Sequence, residues 1–246
     1  MSAKKIWATL AFFVLSISSL PVVAADEKPG WNVSLTPYLF ALSLDGKTYA
    51  GDGPPADLDI SFSDILSNLN FAFALHTEFS NGNWTFAIDP FYSSLTVEDG
   101  THLTDNPDID IDTWIVDLWV AYEVVPSLKA MAGFRWQNQD NELKTADPLN
   151  FVDENWTDFF IGTRYTKNFG EKWLFTARGD ITVAGDSDSG WNVVLLFNRR
   201  FRDTQYLNLG WRWFDDDYDN GTFGSDDYYR WNVLTSGPVI GYSWTF

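Results

Sequence analysis

From residue 31 onward, large apolar side chains recur at every second position, and turn-forming residues interrupt the pattern. Ten such segments run roughly over 31–44, 69–80, 83–97, 113–125, 127–140, 155–168, 171–184, 190–202, 204–215 and 229–246. A period of two is the signature of a β-strand with unlike faces. One face holds Leu69, Phe71, Phe73, Leu75 and Phe79 in the second segment. It holds Trp114, Val116, Leu118, Val120 and Tyr122 in the fourth, and Val193, Leu195, Phe197 and Phe201 in the eighth. The other face carries ionised groups in mid-segment: Asp89, Asp117, Arg135, Asp158, Arg164, Arg178, Asp180 and Arg212.

The connections alternate in length. Ser80-Asn81-Gly82-Asn83, Val125-Pro126-Ser127, Asn168-Phe169-Gly170-Glu171 and Arg202-Asp203-Thr204 are tight turns. The loops between them, near 45–68, 98–112, 141–154, 185–189 and 216–228, are longer and acidic. A soluble barrel shows the same alternation with its faces inverted, so alternation alone does not choose. The aromatic residues do. At the turn ends, the apolar parity carries Trp31, Phe79, Trp84, Tyr122, Tyr165, Trp173, Phe201 and Trp244. A ring of aromatic side chains at one level is what an interface between lipid and water selects, and a soluble core has no use for it. The expected fold is all-β: a transmembrane up-and-down antiparallel β-barrel of about ten strands, with eight or twelve as alternatives. An even number puts both termini at the turn side.

The N-terminus fits that expectation. Lys4 and Lys5 precede an apolar stretch from Ile6 to Leu20, and Val23-Ala24-Ala25 offers small residues for cleavage. Residues 1–25 are expected to be a signal peptide and 26–246 the barrel domain. No later stretch approaches the ~20 apolar residues of a spanning helix, so a membrane-embedded chain must close as a barrel. There is no cysteine, hence no disulfide and no thiolate. Without Lys4 and Lys5 the charge is 14 basic against 34 acidic residues, a net −20. So acidic a chain is a poor nucleic-acid binder.

Five features stand out as candidates. The inward Arg and Asp residues can pair into a network that fills a narrow lumen, or line a water-filled path that selects ions. Asp215, Asp217, Asp219 and Asp226 approach calcium-loop spacing, but Asn220 stands where glycine is required and the flanks are strands; the plainer reading is a solvated turn. Asp108, Asp110 and Asp112 continue the outward row of Trp114, so the strand rises above the membrane there or a bulge flips it. His76, with Glu78 two residues on, faces inward near the turn end, and His102 lies in a loop; neither has a nucleophile in an evident motif. Residues 57–68 alternate briefly, with Ser63 a candidate cap for a helical turn at 64–66 that either extends the second strand or folds into the mouth.

Short motifs spread along the chain carry a resemblance. They are Thr36-Pro37-Tyr38-Leu39 with Leu44-Asp45-Gly46, Ser61-Phe62-Ser63-Asp64-Ile65-Leu66, Gly162-Thr163-Arg164-Tyr165, Arg178-Gly179-Asp180, Gly210-Trp211-Arg212-Trp213 and Ser236-Gly237-Pro238-Val239-Ile240-Gly241. In these the chain resembles small, mostly uncharacterised proteobacterial outer-membrane β-barrel proteins. It departs from them after Asp180, where Ile181-Thr182-Val183-Ala184 replaces a glycine-rich continuation. The last strand also resembles the assembly signal of such barrels, through Tyr242, Trp244 and Phe246. The resemblance implies an outer-membrane location. It implies outer-membrane lipid, lipopolysaccharide and the barrel assembly machinery as partners, with no cofactor and no catalytic residue. Two functional readings stay open: a narrow or plugged pore with cation preference or an envelope role, and a surface barrel binding a ligand through its acidic, aromatic loops. An enzyme trails both for want of a triad.

Overall fold

The structure, a computed structural model, describes residues 30–50, 55–97, 108–143, 149–225 and 228–246. The expected signal peptide, His102 and Asp226 lie outside the described residues. Trp31–Thr245 forms one compact unit. Its strands are β1 (Asn32–Phe40), β2 (Ser43–Ala50), β3 (Ala56–Ile60), β4 (Leu69–Ser80), β5 (Trp84–Val97), β6 (Ile109–Val125) and β7 (Leu128–Leu143). Then come β8 (Leu149–Phe169), β9 (Trp173–Gly185), β10 (Ser187–Arg202), β11 (Gln205–Asp219) and β12 (Tyr229–Thr245). The single helix among the described residues, α1, is Phe62–Asn68.

All pairings are antiparallel between neighbours, and β1 closes on β12. β12 pairs with β1 through Ser34↔Thr245 to Phe40↔Val239, then with β2 through Ser43↔Ser236 to Tyr229↔Ala50. β1 and β2 are therefore two halves of one stave, and β3, α1 and β4 make the next. The result is a closed barrel of ten staves, the number the alternation predicts. Tight turns require left-handed residues, and Gly82 (φ 86°), Gly170 (φ 64°) and Ser127 (φ 73°) supply them.

Several boundaries move. The expected first loop contains β2 and β3, which form a hairpin on top of the wall. β8 begins at 149, β10 at 187, and β11 runs to 219, so much of the expected acidic loops is strand. The cap of α1 is Ser61 rather than Ser63: its hydroxyl accepts from the Asp64 amide, and Asp64 reaches back to the Ser61 amide. That reciprocal pair needs Ser and Asp three residues apart, which only Ser61 provides.

The faces are inverted relative to a soluble protein. Phe71, Phe197 and Phe201 are 54–55 % exposed, whereas Asp117, Arg135 and Asp180 are 1–3 % exposed. At the turn end Trp31, Phe79, Trp84, Tyr122, Tyr165, Trp173 and Phe201 are exposed and Trp244 half-buried. Neighbouring rings touch there: Trp84 and Tyr122 lie 4.8 Å apart between centroids, Tyr242 and Trp244 4.7 Å. Phe246 is outside the compact unit.

At the loop end the register is unbroken from Ile109 to Glu123, so no bulge turns Asp112 inward. The strand rises past the apolar band instead. Asp112 stands opposite Asp140, and Asp140 opposite Asp153, giving three outward carboxylates across β6, β7 and β8. One oxygen each of Asp112 and Asp140 is buried without a hydrogen bond among the described residues. Burial raises the pKa of Asp140 above the usual carboxylate value, and the charges of Asp153, Asp112 and Glu142 push the same way. The folded state thus holds this proton more tightly than the unfolded chain. Its stability contribution is present at low pH and lost as pH rises past the folded pKa. Asp140→Asn should therefore stabilise the barrel at neutral pH by ~0.2–1 kcal/mol, the scale of a like-charge cross-strand pair. The gain should vanish below about pH 4, where a carboxyl is protonated in either state. Urea unfolding of the refolded barrel in detergent, followed across pH, checks this.

Candidate functional site: a braced lumen

The inward residues meet both along the wall and on chords that cross between non-adjacent strands. Arg135 of β7 donates from Nε and Nη2 to both oxygens of Asp117 on β6, at 2.7 and 3.0 Å. Its Nη2 also reaches Asp180 of β9 at 3.2 Å. Arg178 of β9 completes the lattice, donating to Asp180 at 2.8 Å and across the lumen to Asp117 at 2.9 Å. Two guanidinium groups thus share two carboxylates, all four side chains at most 9 % exposed. Such groups tolerate burial only when each is paired and its donors are spent.

Aromatic rings fill the remaining space. The Arg135 guanidinium lies 5.1 Å from the Phe160 ring and 4.6 Å from that of Phe214. Arg178 sits 5.4 Å from Phe160 and 5.5 Å from Trp119. Gly133 makes room for this layer: a Cβ there would meet the Leu118 carbonyl at 2.4 Å, Trp119 Cβ at 2.6 Å and Phe160 Cζ at 2.7 Å.

The other expected network members go elsewhere. Arg212 joins through Asn192, whose amide oxygen accepts from Arg212 Nε and whose nitrogen donates to Asp180, both at 2.9 Å. Asp89 accepts from the Tyr38 hydroxyl at 2.9 Å and lies 3.2 Å from His76 Nδ1. Arg164 pairs with Glu78 at 2.5 Å, and Glu78 is 3.4 Å from His76 Nε2. Asp158 is in register with Arg135 yet bonds the Asp186 and Ser187 amides and the Ser187 hydroxyl. Gly185 brings that backbone close enough for Asp158 to cap it, since a Cβ at Gly185 would stand 2.5 Å from the carboxylate.

The acidic run 215–219 is strand rather than the solvated turn expected of it. β11 continues through the acidic run, and alternation sends successive aspartates to opposite faces. Asp216 points inward and accepts from Gln137 at 2.6 Å and Trp156 Nε1 at 2.8 Å. Asp217 points outward and pairs bidentately with Arg230 at 2.7 and 3.0 Å. Asp215, Asp217 and Asp219, the carboxylates of the calcium-loop spacing, share the outward face of β11, and Asp217 is already held by Arg230. Among the described residues no group of three His, Cys, Asp or Glu is disposed to hold a metal ion.

The lattice divides the lumen. Below it, at the turn end, a polar vestibule of about 310 Å³ is lined by residues including Tyr38, His76, Glu78, Asp89, Arg164 and Arg212. Above it, at the loop end, a smaller chamber of about 120 Å³ is lined by Leu44, Ile60, Ile65, Leu95, Ile111 and Trp231, among others. Ile65 of α1 is buried over this chamber. In the 57–68 segment β3 extends the wall upward, and α1 joins it to β4 with Ile65 turned toward the chamber. Both nitrogens of His76 face carboxylates, which leaves neither placed to take a proton from a hydroxyl. Tyr38, Glu78, Gln137, Asn192 and Asp216 are the members that sequence reading left out of the network. Their inward parity was the available signal.

No protein-family model matches the chain, and no curated protein does either. Among solved structures, the outer membrane protease OmpT of Escherichia coli is similar, at TM-score 0.57 and 8 % identity over 89 % of this chain and 99 % of that one. Neisserial surface protein A (TM-score 0.35, 11 % identity, 88 % and 97 % covered) and Ail of Yersinia pestis (TM-score 0.39, 10 % identity, 88 % and 99 % covered) also align. The OmpT likeness carries the comparison, and at that identity it concerns the fold alone. The chain has the closed antiparallel architecture of Gram-negative outer-membrane β-barrels.

Proposed function

We propose that this protein is a closed, non-enzymatic barrel of the bacterial outer membrane, one that braces the envelope and binds at its outer end rather than conducting solutes. The turn side then faces the periplasm and the acidic loop end faces outward, as the short-turn, long-loop asymmetry of such barrels requires. The aromatic ring at the turn end sits at the inner interface, in contact with lipid. The carboxylates at the loop end lie at the level of lipopolysaccharide head groups, and Tyr242, Trp244 and Phe246 are the residues that the assembly machinery reads.

One observation carries the closed reading: the Asp117–Arg135–Arg178–Asp180 lattice spans the lumen on chords and is at most 9 % exposed. A conducting path needs hydrated fixed charges with room for an ion to enter and leave. Here each charge is held by its neighbour and capped by a ring. The wild-type protein reconstituted in a planar bilayer should therefore be silent. A variant with Ser at 117, 135, 178 and 180 removes the charges and the bulk together, and should give conductance steps. Steps from the wild type would end the closed reading.

A further inference from the structure

The wall is not paired all the way round. β1 and β4 are in register from Asn32↔Ser80 to Pro37↔Leu75, and β2 and β3 from Leu44↔Ile60 to Thr48↔Ala56. Between those ladders, residues 38–43 have no register partner on the β4 side among the described residues. On the facing edge, β4 residues 69–74 pair only with β5, from Leu69↔Leu95 to Ala74↔Phe91. The other side of 38–43 stays closed, through Leu39↔Ile240, Phe40↔Val239 and the Ala41 amide to the Pro238 carbonyl at 2.9 Å. The stave therefore forks away from β4 above Pro37, and α1 bridges the top of the fork. Ile65 turns inward from α1, while Phe62 and Leu66 are 41 and 44 % exposed on its outer side. Leu39 and Phe71, on the two margins of the fork, are exposed outward as well.

The chamber behind the fork is apolar where it is free. Its margin toward the fork is Leu42, Leu44, Ile60 and Ile65; Leu95, Ile111, Ile115 and Phe214 flank it, and Trp156 closes it from β8. Several polar side chains on its lining already have protein partners. Gln137 donates to Asp216, Asn138 to the Glu154 carbonyl, Asn68 to the Asp64 carbonyl, and Thr48 to the Arg230 carbonyl. Its volume, about 120 Å³, is close to the ~150 Å³ of an apolar cavity that stays dry and takes up benzene.

We propose that the loop-end chamber binds one small apolar molecule, about the size of a benzene ring, taken up sideways from the outer leaflet through the fork beneath α1. An apolar solute dissolved among acyl chains meets an apolar margin at the fork, whereas the outer mouth is acidic and wet. Phe214, which rests on Arg135 of the ionic lattice, and Gln137 lie on the lattice side of the chamber and stop the guest from going further. This goes beyond the closed-barrel reading: it rests on the membrane placement proposed above, not on the silence of the lumen.

The test uses the folded full-length barrel in fluorine-free detergent micelles, with fluorobenzene as probe and ¹⁹F NMR as readout. The wild type should give a saturable protein-dependent shift or a separate bound resonance, beyond that of micelles alone. Ser93 is 7 % exposed and lines the chamber, so Ser93→Phe fills it. The bound signal should then fall roughly tenfold or more, a loss of 1.4 kcal/mol in binding. Thr235→Leu, on the opposite lining, is a second filler should Ser93→Phe fail to fold. A trimethylammonium derivative of the probe, which stays in water, should not reach the site. A folded wild type with no saturable signal overturns the proposal, as does equal binding by the filled variants; binding of the charged probe overturns the lateral route. A barrel that is silent in the bilayer but binds no probe sinks only this inference, and one that conducts but binds the probe sinks only the closed lumen.

Discussion

Asp117→Ala should cost the folded barrel about 3–5 kcal/mol, the penalty for removing one partner of a buried ion pair. Asp117 accepts three of the bonds that hold the lattice, two from Arg135 and one from Arg178. Without it, two guanidinium groups share Asp180 alone, and one positive charge is left buried against rings and wall. Water offers little relief, because Arg135 is 1 % exposed and lies between Phe160 and Phe214. Replacing all four charges with apolar residues of like volume should be far milder, near neutral or even stabilising. The contrast separates the cost of an orphaned charge from the net worth of the lattice. Urea unfolding of the refolded proteins in detergent measures both. A loss below about 1 kcal/mol for Asp117→Ala would mean that water reaches the lattice, and the closed lumen would have to be given up.

Gly133→Val should cost about 3 kcal/mol, the upper end of what overpacking a filled interior usually costs. The three atoms a Cβ would meet cannot easily retreat. One is a ladder carbonyl at Leu118, and the others belong to Trp119 and Phe160, which are 5 and 1 % exposed. Phe160 is the ring against which both Arg135 and Arg178 rest, so displacing it loosens the lattice as well. Gly179 is the control: a Cβ there meets nothing within 4 Å. Gly179→Ala should leave stability unchanged or raise it by ~0.4–1 kcal/mol through the unfolded chain. The same unfolding experiment reads both variants. Equal effects at the two glycines would deny that the lumen layer is tightly filled.

The faces of the wall were legible because alternation has a period of two and tolerates little error. Phe71 and Phe197 face out and Asp117, Arg135, Arg178 and Asp180 face in, as parity requires. Parity says nothing about height or about which stave lies opposite. The pairing of β6 with β9 across the lumen depends on the tilt and closure of the whole barrel. That is why Arg164 was grouped with Asp158 yet bonds Glu78. The loop is expected from 216 because Asp215 to Asp219 hold four carboxylates in five positions. In the structure the strand persists, since its ladder with β12 continues to Asp219↔Arg230 and Arg230 offsets part of the charge. The division of the first stave into β1 and β2 had no local signal, because it arises from loss of a partner far along the chain.

The seam where β12 meets β1 and β2 has a consequence for biogenesis. It joins Ser34 to Thr245, so the two margins that must meet lie far apart along the chain. Every shorter product of the ribosome carries two raw strand margins, each a template for wrong pairing with another chain. Closure cannot proceed by local steps, and contacts so distant in sequence are slow to form. Whatever receives this polypeptide must shelter both margins until β12 arrives, and that strand alone makes the cylinder whole.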